Sequence, residues 1–391
     1  MQPKTAVTFD PITFRNMKRT LIPLAETGRK RREDPTYATP IPYEIGIKLN
    51  NGCNLRCKHC FEWNPEGFHH GYAKEVKNDE IDIAVVEKLL AETRERKSRV
   101  FLWGGEPLFY SKFDELAELL AKEDRYTTIC TNAILIEQKL DSILKMSENL
   151  VMLVSLEGFE KENDAIRGKG TFKKVIKAVE LLLDLQKQGL YKGKVSVALT
   201  VNDNMIGQMY ALMEYFEELG VDSVYFCFPW YIPENTADKM DAYFSSHFPG
   251  LASRFAPEHK NSWHSFTFHI SPEKHADLLE EIERVNSRVW NVRIRYQPAL
   301  ESDDIKDFIS GGEKPAMNKT QCFSISNRMD VMPDGKVNPC KFFPEFSVGN
   351  LNEQSVADIF HGDELKHQRE VVACGLMPIC SKCVLLYNNG V

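Results

Sequence analysis

Cys53-Asn54-Leu55-Arg56-Cys57-Lys58-His59-Cys60 places three thiols within eight residues, at a C-x3-C-x2-C spacing. Most 4Fe–4S clusters are held by four cysteine thiolates. Three close cysteines with no fourth beside them imply a cluster with one iron left open to a ligand that is not protein. A zinc knuckle is the competing reading of the same spacing. The residues around and beyond the triad have to decide between them.

Working outward, the triad follows a strand-like run at 43–49, the first of six. The others are 99–103, 127–131, 150–155, 194–201 and 223–228, and the fifth carries Val195, Val197, Leu199 and Val201 at period two with smaller residues between. Helical stripes separate them. One spans 81–96, with Asn78-Asp79 as expected caps; 171–188 ends at Gly189 and 205–219 ends at Gly220, the usual stop for a helix. Strands alternating with helices predict an α/β protein with a parallel sheet. Element order alone does not separate an open doubly wound sheet from a barrel. In either case ligands gather at the C-terminal ends of the strands, which is where the cysteines fall. Residues 1–42 read as an extension with little periodicity, 43–230 as the α/β core, and 231–315 as a connecting region that walls the substrate cavity. That region includes a helix over 273–286 and a strand over 292–297. Residues 316–391 read as a small domain.

After the second strand comes Gly104-Gly105-Glu106-Pro107, two glycines that permit close backbone approach and a carboxylate that can accept from an ammonium. The fourth strand runs into Ser155-Leu156-Glu157-Gly158, followed by Asn163-Asp164-Ala165-Ile166-Arg167-Gly168. Together with the cysteine triad these motifs resemble those of the radical S-adenosylmethionine (radical SAM) enzymes, whose open iron chelates the amino and carboxylate groups of SAM. The resemblance implies a partial (β/α)6 barrel, open on one side. It implies that Gly104, Gly105 and Glu106 bind the methionine amino group, and that Ser155 and Arg167 contact the carboxylate, which a guanidinium can take by a two-point fork. Glu157 stands where the family usually has Asp and Asn163 where it has His, so no role is carried over to those two. Asn132, in Thr131-Asn132-Ala133, and Thr200, in Thr200-Val201-Asn202, are implied ribose or methionine contacts, and His59 sits where an aromatic residue near the adenine is usual.

The C-terminal cysteines form a second pattern. Cys322 and Cys340 flank Gly335 as C-x12-G-x4-C, and Cys374, Cys380 and Cys383 follow. This looks like the twitch domain, a shortened SPASM domain. A β-hairpin turning at Asp334-Gly335 would bring Cys322 and Cys340 together. With Cys380 and Cys383 they supply four thiolates for one auxiliary 4Fe–4S cluster, with Cys374 as an alternative ligand. A four-cysteine zinc ribbon is the other reading. Cys130 and Cys227, in predicted strands, read as buried apolar side chains.

Composition sets the outer limits. The chain has 391 residues, 43% hydrophobic and 27% charged, with net charge −7. That balance argues against a general nucleic-acid binder. No apolar run reaches membrane-spanning length and the first thirty residues lack a signal-peptide core, so a cytoplasmic protein is expected. Ten cysteines in close spacings favour metal binding in a reducing compartment. The run Gly28-Arg29-Lys30-Arg31-Arg32 reads as a solvated arm or as a docking site for an acidic partner.

The implied chemistry is reductive cleavage of SAM to a 5′-deoxyadenosyl radical, which abstracts a substrate hydrogen atom, followed by oxidation through the auxiliary cluster: an oxidoreductase or maturase. The lead substrate is a ribosomally made peptide; the alternatives are a sugar or aminocyclitol, or a non-catalytic iron–sulfur or zinc protein. Expected partners are a reductant such as flavodoxin or ferredoxin and, with only about 40 residues ahead of the barrel, a separate leader-peptide recognition protein. Lys341 stands where related sulfatase-maturing enzymes carry an aspartate base. Tyr225, Tyr231, Glu234 and His269 are the remaining acid–base candidates.

Overall fold

The computed structural model of the protein describes residues 4–6 and 11–391. Its strands in chain order are β1 (Lys4–Thr5), β2 (Glu44–Lys48), β3 (Arg99–Trp103), β4 (Thr127–Thr131), β5 (Leu150–Leu156), β6 (Lys194–Thr200), β7 (Ser223–Cys227), β8 (Val289–Trp290), β9 (Arg293–Gln297), β10 (Arg328–Val331), β11 (Lys336–Asn338) and β12 (Gly349–Asn350). One ten-stranded sheet has the order β12-β11-β10-β2-β3-β4-β5-β6-β7-β9. From β2 to β7 neighbours in space are neighbours in sequence, all parallel. A doubly wound sheet reverses direction part-way, and this one does not. The sheet is therefore a singly wound partial barrel, with β12 and β9 at its two edges.

Alternation along the strands sorts two faces. Val195, Val197 and Leu199 of β6 are fully buried, as are Leu102 of β3 and Met152 and Val154 of β5. They belong to one core that also takes in Val175, Val179 and Leu182 of the helix Thr171–Lys187. The alternate residues line the barrel interior: Phe101, Trp103, Cys130, Leu153, Ser155, Ala198, Thr200 and Cys227. Cys130 and Cys227 thus face the cavity and are not fully buried, contrary to the sequence reading. A strand buried on both faces gives little contrast between its two sets of residues, so the set facing the lumen is hard to tell from the set facing the helices.

Two of the sequence-based domain limits cut across this sheet. The 231–315 segment supplies β9, parallel to β7, and the C-terminal segment supplies β10, parallel to β2. Residues 11–33 are also not irregular: Pro11–Glu33 is a helix. Thr27 and Gly28 are buried on it, and a Cβ added at Gly28 would come within 2.9 Å of the Phe323 ring. Arg31 is buried and donates to the Cys322 carbonyl and to Ser326 Oγ, both at 3.0 Å. Arg29, Lys30 and Arg32 stay exposed, so the basic run is only partly a solvated arm. The helix after β2 begins later than the expected caps, at Ile83, with Asp82 accepting from the Ala84 amide at 2.9 Å. The expected hairpin is present: β10 and β11 pair antiparallel, and Gly335 takes the left-handed conformation at φ +80°.

Candidate active site

The loop after β2 carries Cys53, Cys57 and Cys60, and the loop after β3 carries Gly104, Gly105 and Glu106. Backbone bonds tie the two together: the Gly105 amide donates to the Asn50 carbonyl and the Glu106 amide to the Gly52 carbonyl, each at 2.9 Å. A Cβ at Gly105 would lie 2.2 Å from the Gly52 carbonyl oxygen, and one at Gly104 would lie 2.5 Å from Asn50 Oδ1. The glycines are therefore required by loop-to-loop contact inside the protein, in addition to any approach to a ligand.

The three thiols line a cavity of about 470 Å³ at the C-terminal ends of the strands, with His59, Gly104, Gly105, Glu106, Asn132, Ser155, Arg167 and Thr200 in the same wall. Burial pushes the Cys53 and Cys60 thiols up to about 12 and raises Cys57 as well, against the pull of Arg167. The metal-free site therefore holds thiols, and binding iron displaces their protons. Arg167 Nη1 lies 3.8 Å from Cys57 Sγ, and Asn132 Nδ2 lies 3.9 Å from Cys53 Sγ.

Glu106 is buried and strongly engaged. Its Oε1 accepts from the Leu108 amide at 3.0 Å and Thr131 Oγ1 at 2.6 Å, and its Oε2 accepts from the Asn132 amide at 2.8 Å. Burial raises its carboxyl, and these donors and Arg167 oppose that. Oε2, with one bond, keeps acceptor capacity for an ammonium.

Glu157 is the residue that sequence reasoning left without a role. It is fully buried at the end of β5, and its carboxylate accepts from His59 Nε2 and Arg167 Nη2, both at 2.6 Å, and from the Thr200 amide at 3.0 Å. It fixes three of the expected SAM contacts at once. Asn163 accepts from the Glu157 amide at 3.2 Å and donates to Thr171 Oγ1 at 2.9 Å, so it ties down the helix Glu160–Arg167 that ends on Arg167. Both departures from the family pattern sit in this one network. Donation from Nε2 to Glu157 fixes the ring of His59 and leaves Nδ1 without a partner. Trp103 Nε1 and Arg167 Nε are likewise buried without partners, among the described residues. Three soft thiols, a guanidinium, a carboxylate and unpartnered polar atoms on one wall fit an iron–sulfur cluster bearing a polar, charged ligand.

Sequence reasoning also missed an aromatic wall. Phe61 stacks on Phe266 at 4.5 Å between centroids, and Trp230 meets Phe342 edge-on at 4.3 Å. Nothing in local spacing signals it, because its members come from four separate segments. Tyr225, Tyr231, Glu234 and His269 do not line this cavity.

Cys322, Cys340, Cys380 and Cys383 line a second, smaller cavity of about 30 Å³, whose other walls include Ile325, Phe343, Ile379 and Leu386. Burial raises all four thiols, Cys383 to about 12. Four thiols in an apolar pocket are a donor set for iron–sulfur or zinc. Cys374 is exposed, at the end of the helix Asp363–Cys374, and lies outside this wall. Cys383→Ala is accordingly expected to remove about four irons per chain from the reconstituted protein, and Cys374→Ala none, by iron analysis. Equal loss from both would make Cys374 a ligand.

The family model of the radical SAM superfamily matches residues 47–213, and that of the SPASM iron–sulfur cluster-binding domain matches residues 322–384. The chain carries a radical SAM domain followed by a SPASM iron–sulfur cluster domain. The radical SAM domain brings a 4Fe–4S cluster and SAM as cofactors, and the SPASM domain brings auxiliary iron–sulfur ligation. The chain is 23% identical over 327 residues to the subtilosin biosynthesis protein AlbA of Bacillus subtilis, covering 82% of this chain and 60% of that protein's length. It is 23% identical over 362 residues to a cysteine-type anaerobic sulfatase-maturating enzyme of Clostridium perfringens, covering 88% and 86%. In structure it is similar to Streptococcus suis SuiB bound to its precursor peptide SuiA, with a TM-score of 0.57 at 15% identity over 94% of this chain and 74% of that one. At that identity the likeness is one of fold. Among the described residues no helix is long and apolar enough to cross a membrane.

Proposed function

We propose that this radical SAM protein is a peptide-modifying oxidoreductase, a maturase that oxidises a carbon within a ribosomally made peptide. The observation that carries the reading is the wall shared by the two cysteine sites. Lys341, Phe342 and Leu385 line both the large cavity that receives Cys53, Cys57 and Cys60 and the small one formed by the other four cysteines. A substrate in the large cavity therefore lies between the two. When bound, the cofactors supply a 5′-deoxyadenosyl radical for hydrogen abstraction and, at the auxiliary site, an acceptor for the electron the substrate then gives up. The chain's own part is positional. Glu106 and Asn132 offer polar contacts beside the cysteine triad, Glu157 holds Arg167 and His59 in place, and the aromatic wall keeps water from the reacting carbon. Support for a peptide comes from the relatives, whose names describe bacteriocin biosynthesis and sulfatase maturation, and from SuiB, solved with a precursor peptide. A reductant such as flavodoxin or ferredoxin and a separate leader-recognition protein complete the proposal.

The test is anaerobic reconstitution, metal analysis, and assay of 5′-deoxyadenosine after reduction with SAM. About eight irons per chain are expected, two 4Fe–4S clusters, with slow cleavage that candidate precursor peptides accelerate. Acceleration by sugars or aminocyclitols, and none by peptides, would replace the peptide substrate. Zinc in place of iron, with no cleavage, would overturn the enzyme reading.

A further inference from the structure

Lys341 is the residue the two sites have in common whose chemistry neither yet uses. It follows Cys340, is only 6% exposed, and lines both cavities. Its ammonium stands 3.8 Å from the ring centroid of Phe101, 4.7 Å from Trp103 and 5.0 Å from Phe342. Three aromatic faces hold it in place and keep it from water. Among the described residues no carboxylate oxygen lies within 4.0 Å of it. The charged or titratable groups facing it are Arg328, Asp330, Cys130 and Cys383. Asp330 is already committed, its two oxygens taken by Arg328 Nη2 at 2.7 Å and Nε at 2.5 Å, and Arg328 also bonds Glu44. A buried ammonium needs a counter-charge: burial pulls Lys341 down to about 7 and keeps the neighbouring cysteines as thiols, so the four thiolates of a bound cluster are the groups left to supply one.

We propose that Lys341 is the electrostatic tuning residue of the auxiliary site, raising the reduction potential of the cluster that Cys322, Cys340, Cys380 and Cys383 hold. The inference rests on the reading above that these four cysteines bind an iron–sulfur cluster. One-electron reduction adds a unit of negative charge to a centre that four thiolates already make negative, and no bond is made or broken. A protonated lysine across a dry, aromatic wall stabilises the added charge far more than it would in water. Cluster potentials respond to such charge and to burial. A lysine here eases transfer of an electron from a substrate in the large cavity to the auxiliary site.

The experiment is an EPR-monitored redox titration of the reconstituted holoenzyme with dithionite as reductant, following the signal that added SAM leaves unchanged. Wild type is compared with Lys341→Met, which keeps the length and loses the charge, and with Lys341→Arg, which keeps the charge. The Met variant is expected to lower the equilibrium constant for reduction about tenfold, a fall of about 59 mV for a one-electron couple, with Arg close to wild type. Lys341→Gln is read alongside in case Met perturbs the site. One midpoint shared by all four proteins overturns the inference while leaving the auxiliary cluster in place. Loss of the cluster from both neutral variants also overturns it, making Lys341 a structural part of the wall. A wild-type protein with only about four irons per chain overturns the underlying reading itself.

Discussion

Cys57→Ala is expected to abolish reductive cleavage of SAM, taking 5′-deoxyadenosine to the level seen without protein, and to remove about four irons per chain. The triad supplies all the thiols at this end of the barrel, apart from Cys130 and Cys227 further along the cavity wall. Two thiolates do not hold a four-iron cluster. Cys57 is also the thiol beside Arg167, at 3.8 Å from Nη1, so its loss takes an anionic ligand from a guanidinium that is buried with it. The thiol is small, so the barrel should stay folded. Far-ultraviolet circular dichroism and the iron retained at the auxiliary site provide that control. Cleavage above background in the alanine variant, with iron content unchanged, would put the open-iron cluster somewhere other than Cys53, Cys57 and Cys60.

How far the fold was readable depends on what each segment has to bury. The strands over 99–103 and 127–131 match the structure residue for residue, and the other four lie within one residue at each end. Their β-branched and aromatic runs are bounded by helices or turns with clear signals. The N-terminal helix was not legible. It has Pro23 and Gly28 inside it, both poor helix formers, and its docking surface includes Thr27 and Gly28 instead of a broad apolar stripe. The strands β9 and β10, which flank the six on either side, were unreadable as barrel members because their pairing is set by tertiary contact alone.

The site divides along the same line. Every residue placed by the cysteine triad and the strand-end motifs falls on the large cavity, and Cys322, Cys340, Cys380 and Cys383 fall on the small one. Those that act through distant partners were missed: Glu157 was visible only as a departure from a pattern, because its partners lie 98, 10 and 43 residues away. The aromatic wall has no local signature at all, and Lys341 was read as a missing base because its neighbours Phe101 and Trp103 belong to β3.

Glu157→Ala is the substitution expected to cost most in the folded state. It removes a carboxylate held by three donors and leaves Arg167, His59 and the Thr200 amide facing an apolar gap. Breaking a buried ion pair by deleting one partner costs about 3–5 kcal/mol, since the remaining charge stays buried without compensation. Glu157→Gln keeps the volume and some of the hydrogen bonds, and its cost should fall between wild type and alanine. Urea unfolding of the metal-free protein, held anaerobic and reduced, measures both. The effect also has a pH signature. Burial alone would raise this carboxyl, but the charges and hydrogen bonds of His59 and Arg167 outweigh it and hold the carboxyl below its ordinary value. A carboxyl that is lowered on folding adds stability above its unfolded value, about 4.3 for glutamate, and loses it as pH falls through the folded value. The gap between wild type and Glu157→Ala should therefore be constant from neutral pH to about 5 and close below that. A gap under about 1 kcal/mol at pH 7, the range of an exposed pair, or one that stays open in acid, would show that Glu157 is not the anion on which Arg167 and His59 depend.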